Sequence, residues 1–390
     1  MSVLWLALAT FAIGTEAFVI SGLLPIMAGD LQISLAATGQ LVTAYALVYA
    51  LGSPVLAVAF HNLDRRTVLT LALSLFIAGN LLAVAATGFA MLLVARMLMA
   101  VGAGLCTPTA LAVAAAISPP ERRGRAMALV TSGLTISTVL GVPLGTWIGG
   151  LYGWRATFIL VSVLGAVALA GLLFGLPRGL PRHTASLDQR LAIARHGAIL
   201  HALLVTAFWA IGAFTVFTYL AIPLRNLGLS PTEVSLGLLV FGVAAAIGNM
   251  VGGTMADRIG PLRTVTLGLV TMMVAVTLQS VVLKVMAPDH ARPIFLGLVF
   301  FQGLGAFTFY PGQVAHLVRI EPQAAMIALS LNASAMYFGF AAGSALGGVV
   351  LTVLSPTDIG WVGGSSIAAA VAAVVLRGWR MRLGLHKYAR

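Results

Sequence analysis

Two ionisable residues stand inside apolar runs: Glu16, in ATFAIGTEAFVISGLLP, and Arg96, in ARMLMAVGAGLCTP. A carboxyl group in such surroundings can carry a proton, and a guanidinium within reach favours its ionised form, so these two side chains offer proton chemistry. The plain alternatives are a glutamate satisfied by a hydrogen bond in a helix contact and an arginine whose head reaches the outer headgroups. Nothing else in the chain suggests a reaction. The single cysteine, Cys106, excludes an intrachain disulfide, and the seven histidines have no metal-ligand spacing. Neither a metal nor another cofactor is expected, and neither is enzymatic activity.

The elements that must position the two charges are long apolar stretches. At about 1.5 Å per residue the first, 3–28, is long enough to cross a ~30 Å hydrocarbon core and puts Glu16 near its midplane. Sixty per cent of the chain is hydrophobic, 8% is charged, and the mean hydropathy is +1.04, the composition of a polytopic membrane protein. Twelve spans follow, near 3–28, 38–60, 67–87, 90–117, 126–150, 155–176, 199–222, 233–255, 264–286, 293–317, 323–354 and 360–379. The first stretch is too long for the core of a cleavable signal, so it is expected to remain as a helix.

Of the 22 Lys and Arg, only Arg155, Arg225, Lys284 and Arg292 fall on the side away from the termini, and Arg96 lies within a span. The remainder gather in the loops and tail on the termini side, which the positive-inside rule places in the cytoplasm. The net charge of +12 and the pI near 11.0 are therefore a topology signal, and no nucleic-acid partner is needed to explain them. The basic tail RGWRMRLGLHKYAR can also touch anionic lipid.

Sliding the chain by about half its length puts Leu31-Gln-Ile-Ser34 over Leu227-Gly-Leu-Ser230 and Gly52 over Gly248. The expected organisation is an N-terminal six-helix half at 1–176, a basic linker at 177–198, and a C-terminal half at 199–390. Ser230-Pro231-Thr232-Glu233 reads as a capping box with proline at the first helical position. Parallel-repeat transporters have this organisation, with a solute site at midplane between the halves. The same offset puts Glu16 over Gly212, and no charge in the second half corresponds to Arg96. Ion coupling is thus expected in one half, with the other mainly shaping the solute site.

Four stretches resemble the major facilitator superfamily, in its twelve-helix drug:proton antiporter branch and the bacterial sugar-, purine- and drug-efflux exporters within it. IGTEAFVISGLLPIMAGDLQIS with LVTAYALVYALGSPVLA is similar to that group's first two helices. GVPLGTWIGGLYGWRATF resembles its antiporter motif, which implies a gating role for Gly141, Pro143 and Gly145. ARMLMAVGAGLCTP resembles the motif whose arginine lies within the membrane, with Ala100 where glycine is common, and implies that Arg96 serves coupling with Glu16. GGTMADRIGPLRTV resembles the cytoplasmic gating motif and implies a lock built from Asp257, Arg258, Gly260 and Arg263. The corresponding first-half loop, FHNLDRRTV, keeps only the trailing basic residues.

The resemblance implies an all-α major facilitator fold and proton-coupled efflux of a small organic solute or drug across the bacterial inner membrane, by a monomer. Its partners would be that solute, protons and the lipid bilayer. Aromatic and amide side chains suit an amphipathic organic solute. Tyr45, Tyr49 and Asn80 of the first half, with Trp209, Phe214, Asn249, Gln302, Tyr310, Asn332 and Tyr337 of the second, are the candidate lining. A sugar or purine nucleoside exporter remains a second reading, and a non-transporting membrane sensor or scaffold a third.

Overall fold

The computed structural model describes residues 2–60, 62–177, 193 and 195–382. Most of the linker expected at 177–198 and the end of the basic tail lie outside the described residues. A backbone in hydrocarbon must satisfy its polar groups internally, and the described chain does so with helices alone. The first six crossings are α1 (Ser2–Leu31), α2 (Leu35–Ala59), α3 (Arg65–Val84), α4 (Phe89–Ala116), α5 (Pro120–Tyr152) and α6 (Trp154–Gly175). The last six are α7 (Gly197–Asn226), α8 (Pro231–Arg258), α9 (Pro261–Val285), α10 (Pro288–Ile320), α11 (Ala325–Val353) and α12 (Ile359–Arg382). Every span expected from hydropathy has its helix, with ends displaced by a few residues.

Two crossings are interrupted, and proline explains both. Pro143 cannot donate to the carbonyl of Val139, and just before it α5 widens into a π turn, Ser137–Gly141, closed by the Val142 amide on the Ser137 carbonyl. Pro223 likewise cannot donate to the carbonyl of Tyr219, and α7 breaks at 218–220. There Tyr219 and Leu220 donate three residues back, to Val216 at 3.3 Å and Phe217 at 3.2 Å. The start of α8 is the expected capping box: the Glu233 amide donates to Ser230 Oγ at 3.2 Å and the Ser230 amide to Glu233 Oε2 at 2.8 Å.

Helices α1 to α6 pack chiefly among themselves, as do α7 to α12; the two sets meet mainly through α2 on α11 and α5 on α8. Lipid-facing stripes run down the outside, for example Leu140, Leu144, Trp147 and Leu151 on α5. With twelve crossings among the described residues, α12 finishes at the end of the bundle where α1 begins. Contacts joining the two sets gather at the far end and the centre. A Cβ on Gly150 of α5 would meet Pro231 of α8, one on Gly242 of α8 would touch the Val139 backbone of α5 at 2.7 Å, and Ser344 Oγ of α11 donates to the Gly39 carbonyl of α2 at 3.0 Å. Toward the termini, Ile199, Ala202, Leu317 and Ala328 form a separate small core within the last six helices, and a Cβ on Gly253 would meet open space.

Candidate functional site

Glu16 lies midway along α1 and Arg96 one-quarter of the way along α4, and the packing of these helices brings the two side chains together. Arg96 Nη1 donates to Glu16 Oε1 in an ion pair of which neither side chain is exposed. The same nitrogen reaches the Glu16 carbonyl at 3.3 Å, and Arg96 Nε reaches the Leu41 carbonyl of α2 at 3.4 Å. The guanidinium also lies over the Tyr45 ring, 4.3 Å from its centroid. Glu16 Oε2, Arg96 Nη2 and Tyr45 Oη are buried with no hydrogen-bond partner. The pair is thus buried with one acceptor and one donor left unsatisfied.

A second cluster sits beside it, between the two sets of helices. Tyr49 of α2 stacks on Tyr337 of α11 with ring centroids 3.7 Å apart, and Tyr45 is 6.5 Å from Tyr49. Phe214 of α7 stacks on Phe340 of α11 at 3.6 Å, and Phe18 of α1 approaches Phe214, Phe217 and Phe340 at 6.0, 6.3 and 6.4 Å. Trp209 stacks on Phe309 at 4.6 Å, and its buried Nε1 has no partner. On α10, Phe301 and Tyr310 are both exposed, yet nine residues separate them, which at about 100° per residue puts them on opposite faces. Phe301 faces lipid, and Tyr310 is on the opposite face, near Tyr49 of α2 and Tyr337 of α11.

Other candidates are engaged elsewhere. Gln302 accepts from Gln279 at 2.8 Å in the α9–α10 contact, and Asn80 donates to the Phe76 carbonyl of its own helix at 2.8 Å. Asn332 accepts from Thr206 at 2.6 Å inside an α7–α10–α11 network that Gln313 completes. All three bond within one set and are at most 2% exposed, Asn80 within its own helix, while Asn80 Oδ1 and Gln302 Nε2 have no hydrogen-bond partner. Asn249 is half-buried on α8. Conversely, Phe18 and Phe340 belong to the cluster without having been singled out in the sequence. For Phe18 the signal was available: two residues from Glu16 on a helix, it must face roughly the opposite way.

The motif glycines of α5 make room for α1. A Cβ on Gly141 would collide with Thr15, and one on Gly145 would lie 2.8 Å from Val19 Cγ2 and 3.0 Å from Thr157 Cγ2. In turn Gly14 and Gly22 of α1 accommodate Ser137 and Thr146 of α5, so the two helices interlock through small residues. At the α8–α9 turn, Gly260 adopts φ +93, a conformation favouring glycine, while Asp257, Arg258 and Arg263 are exposed. Among the described residues, no ion pair holds Asp257.

Among the described residues, twelve helices long and apolar enough to cross a membrane surround a buried ion pair and an aromatic cluster, which defines a multi-pass membrane protein. The sequence matches the Major Facilitator Superfamily over residues 6–225 and again over 202–384. It is 36% identical over 372 residues to the uncharacterized MFS-type transporter YbcL of Bacillus subtilis, covering 95% of this chain and 94% of that protein. It is 32% identical over 378 residues to a chloramphenicol resistance protein of Streptomyces lividans, covering 95% and 94%. The crystal structure of a D-xylose–proton symporter superposes with a TM-score of 0.81 at 18% identity, over 95% of this chain and 96% of that one. The chain belongs to the major facilitator superfamily and is a transporter, not an enzyme.

Proposed function

We propose that this transporter exports a small organic solute from the bacterial cytoplasm in exchange for protons, by rocking its N-terminal half (1–176) against its C-terminal half (199–390) about the central clusters. The observation that carries this reading is the buried Glu16–Arg96 pair, whose carboxylate can be neutralised by a proton and whose guanidinium then loses its partner. Relatedness to a chloramphenicol resistance protein favours export of drug-like solutes over the sugar or nucleoside alternative, and it argues against a non-transporting sensor. The excess of Lys and Arg in termini-side loops supports cytoplasmic termini in the inner membrane. On that orientation, the far-end contacts and the exposure of Tyr310 correspond to a molecule closed outward and opening inward. Asp257, Arg258, Gly260 and Arg263 would lock the cytoplasmic end when the protein opens the other way, while Gly141, Pro143 and Gly145 keep α1 and α5 sealed. The test is efflux from proteoliposomes under an imposed pH gradient. Wild type should drive a transported drug uphill and Glu16→Gln should not; uphill transport by the variant would remove Glu16 from the coupling step.

A further inference from the structure

Glu16 and Phe18 sit two residues apart on α1, so their side chains diverge by about 200°. Glu16 turns into the first six helices, onto Arg96. Phe18 turns toward the last six, onto Phe214, Phe217 and Phe340. Glu16 and the phenylalanine rings around Phe18 therefore lie on opposite sides of α1, and the two are joined around it by Tyr45, whose ring lies between the cluster and the Arg96 guanidinium. Among the described residues, every Asp, Glu, Lys and Arg of α7 to α12 lies toward one end of its helix or the other, and the charged group that touches the rings is the Arg96 guanidinium, over Tyr45. The cluster's distinctive polar feature is the Trp209 indole N–H, 6% exposed and without a partner, at the edge of the stacked rings.

Resting on the proton-coupled reading above, we infer that the solute is an uncharged aromatic molecule that offers a hydrogen-bond acceptor to Trp209, and that it influences Glu16 without touching it. Ring faces supply apolar contact, the indole N–H supplies orientation, and a cation among the rings would meet the like charge of Arg96, with Glu16 already engaged by it. The route between the sites is a chain of rings: Tyr337 stacks on Tyr49, Tyr49 neighbours Tyr45, and Tyr45 lies beneath Arg96. A solute that parts Tyr49 from Tyr337 moves the base on which the guanidinium rests and so changes its hold on Glu16. Charge balance follows: exchange of a neutral solute for one proton moves one net charge per cycle.

Two probes test this on the full-length purified protein: chloramphenicol, an uncharged nitroaromatic amide, and tetraphenylphosphonium, an aromatic cation. Chloramphenicol should bind at least tenfold more tightly, and Trp209→Phe should weaken it by about tenfold, the scale of one buried hydrogen bond. In wild-type proteoliposomes with no pH gradient, a potassium–valinomycin potential of about 100 mV should drive chloramphenicol toward a gradient of up to about 50-fold. Tighter binding of tetraphenylphosphonium, no binding of chloramphenicol, an unchanged affinity in Trp209→Phe, or accumulation that follows the pH gradient but ignores the potential would each overturn the inference. If neither gradient drives any probe, it is the proton-coupled reading itself that fails.

Discussion

The far-end closure centres on Tyr219, whose ring fills a slot between Gly39 of α2 and Gly347 and Gly348 of α11. A methyl group at position 39 would overlap the Tyr219 hydroxyl and lie 2.6 Å from Cζ and 2.7 Å from Cε1. The ring has little freedom to yield, because it is fully buried and its hydroxyl donates to the Ser344 carbonyl at 2.8 Å. Overpacking of this kind costs ~1–3 kcal/mol, and only while the halves are closed at that end. Gly39→Ala should therefore shift the balance toward far-end-open molecules by roughly 5- to 150-fold. Ser344→Ala, which removes the hydrogen bond from Ser344 Oγ to the Gly39 carbonyl, should shift it by about fivefold, for ~1 kcal/mol. Spin labels at the exposed positions Tyr152 and Asn226, in a Cys106→Ser background, report the distance between far ends. The long-distance population should grow in Ser344→Ala and more in Gly39→Ala. An unchanged distribution in Gly39→Ala would refute the slot as an outer seal.

Other variants separate packing from charge. Gly145→Leu should lower the melting midpoint in detergent, since even a Cβ there presses on Val19 and Thr157; wild-type stability would mean that α1 and α5 do not interlock at that level. Arg96→Leu should destabilise the fold by up to ~3–5 kcal/mol at a pH where Glu16 stays ionised and by less where the lone carboxyl takes up a proton, and adding Glu16→Gln should recover most of the loss at the higher pH; a loss that is the same at every pH and is not recovered would contradict an ionic pair. Asp257→Asn should slow proton-driven efflux more than it weakens binding, because the lock forms only when the cytoplasmic end closes; unchanged turnover would leave Asp257 as a solvated loop charge.

The fold was legible because hydropathy alone marks a membrane helix, and all twelve spans were found with modest end errors. Glu16 and Arg96 stood out for the same reason, as charges where charge is costly. Which aromatics and amides line the centre was harder to read. In a bundle, apolar rings face lipid as readily as they face the interior, so hydropathy distinguishes neither Phe301 from Tyr310 nor Gln302 from a solute ligand. Gln302, Asn80 and Asn332 prove to bond neighbours within a half. Tyr219 was invisible because its place depends on a helix break caused by a proline four residues on, and on glycines from two other helices. The Glu16–Arg96 contact itself was within reach on helix depth, yet only packing fixes which way the two side chains turn.

Proton release is the most direct test of the central claim. Purified wild-type protein in weakly buffered solution, mixed with a saturating transported drug, should release protons to a pH indicator, and Glu16→Gln, loaded with the same drug to the same occupancy, should release none. Equal release from the two would contradict the account and leave Glu16 as a structural partner of Arg96.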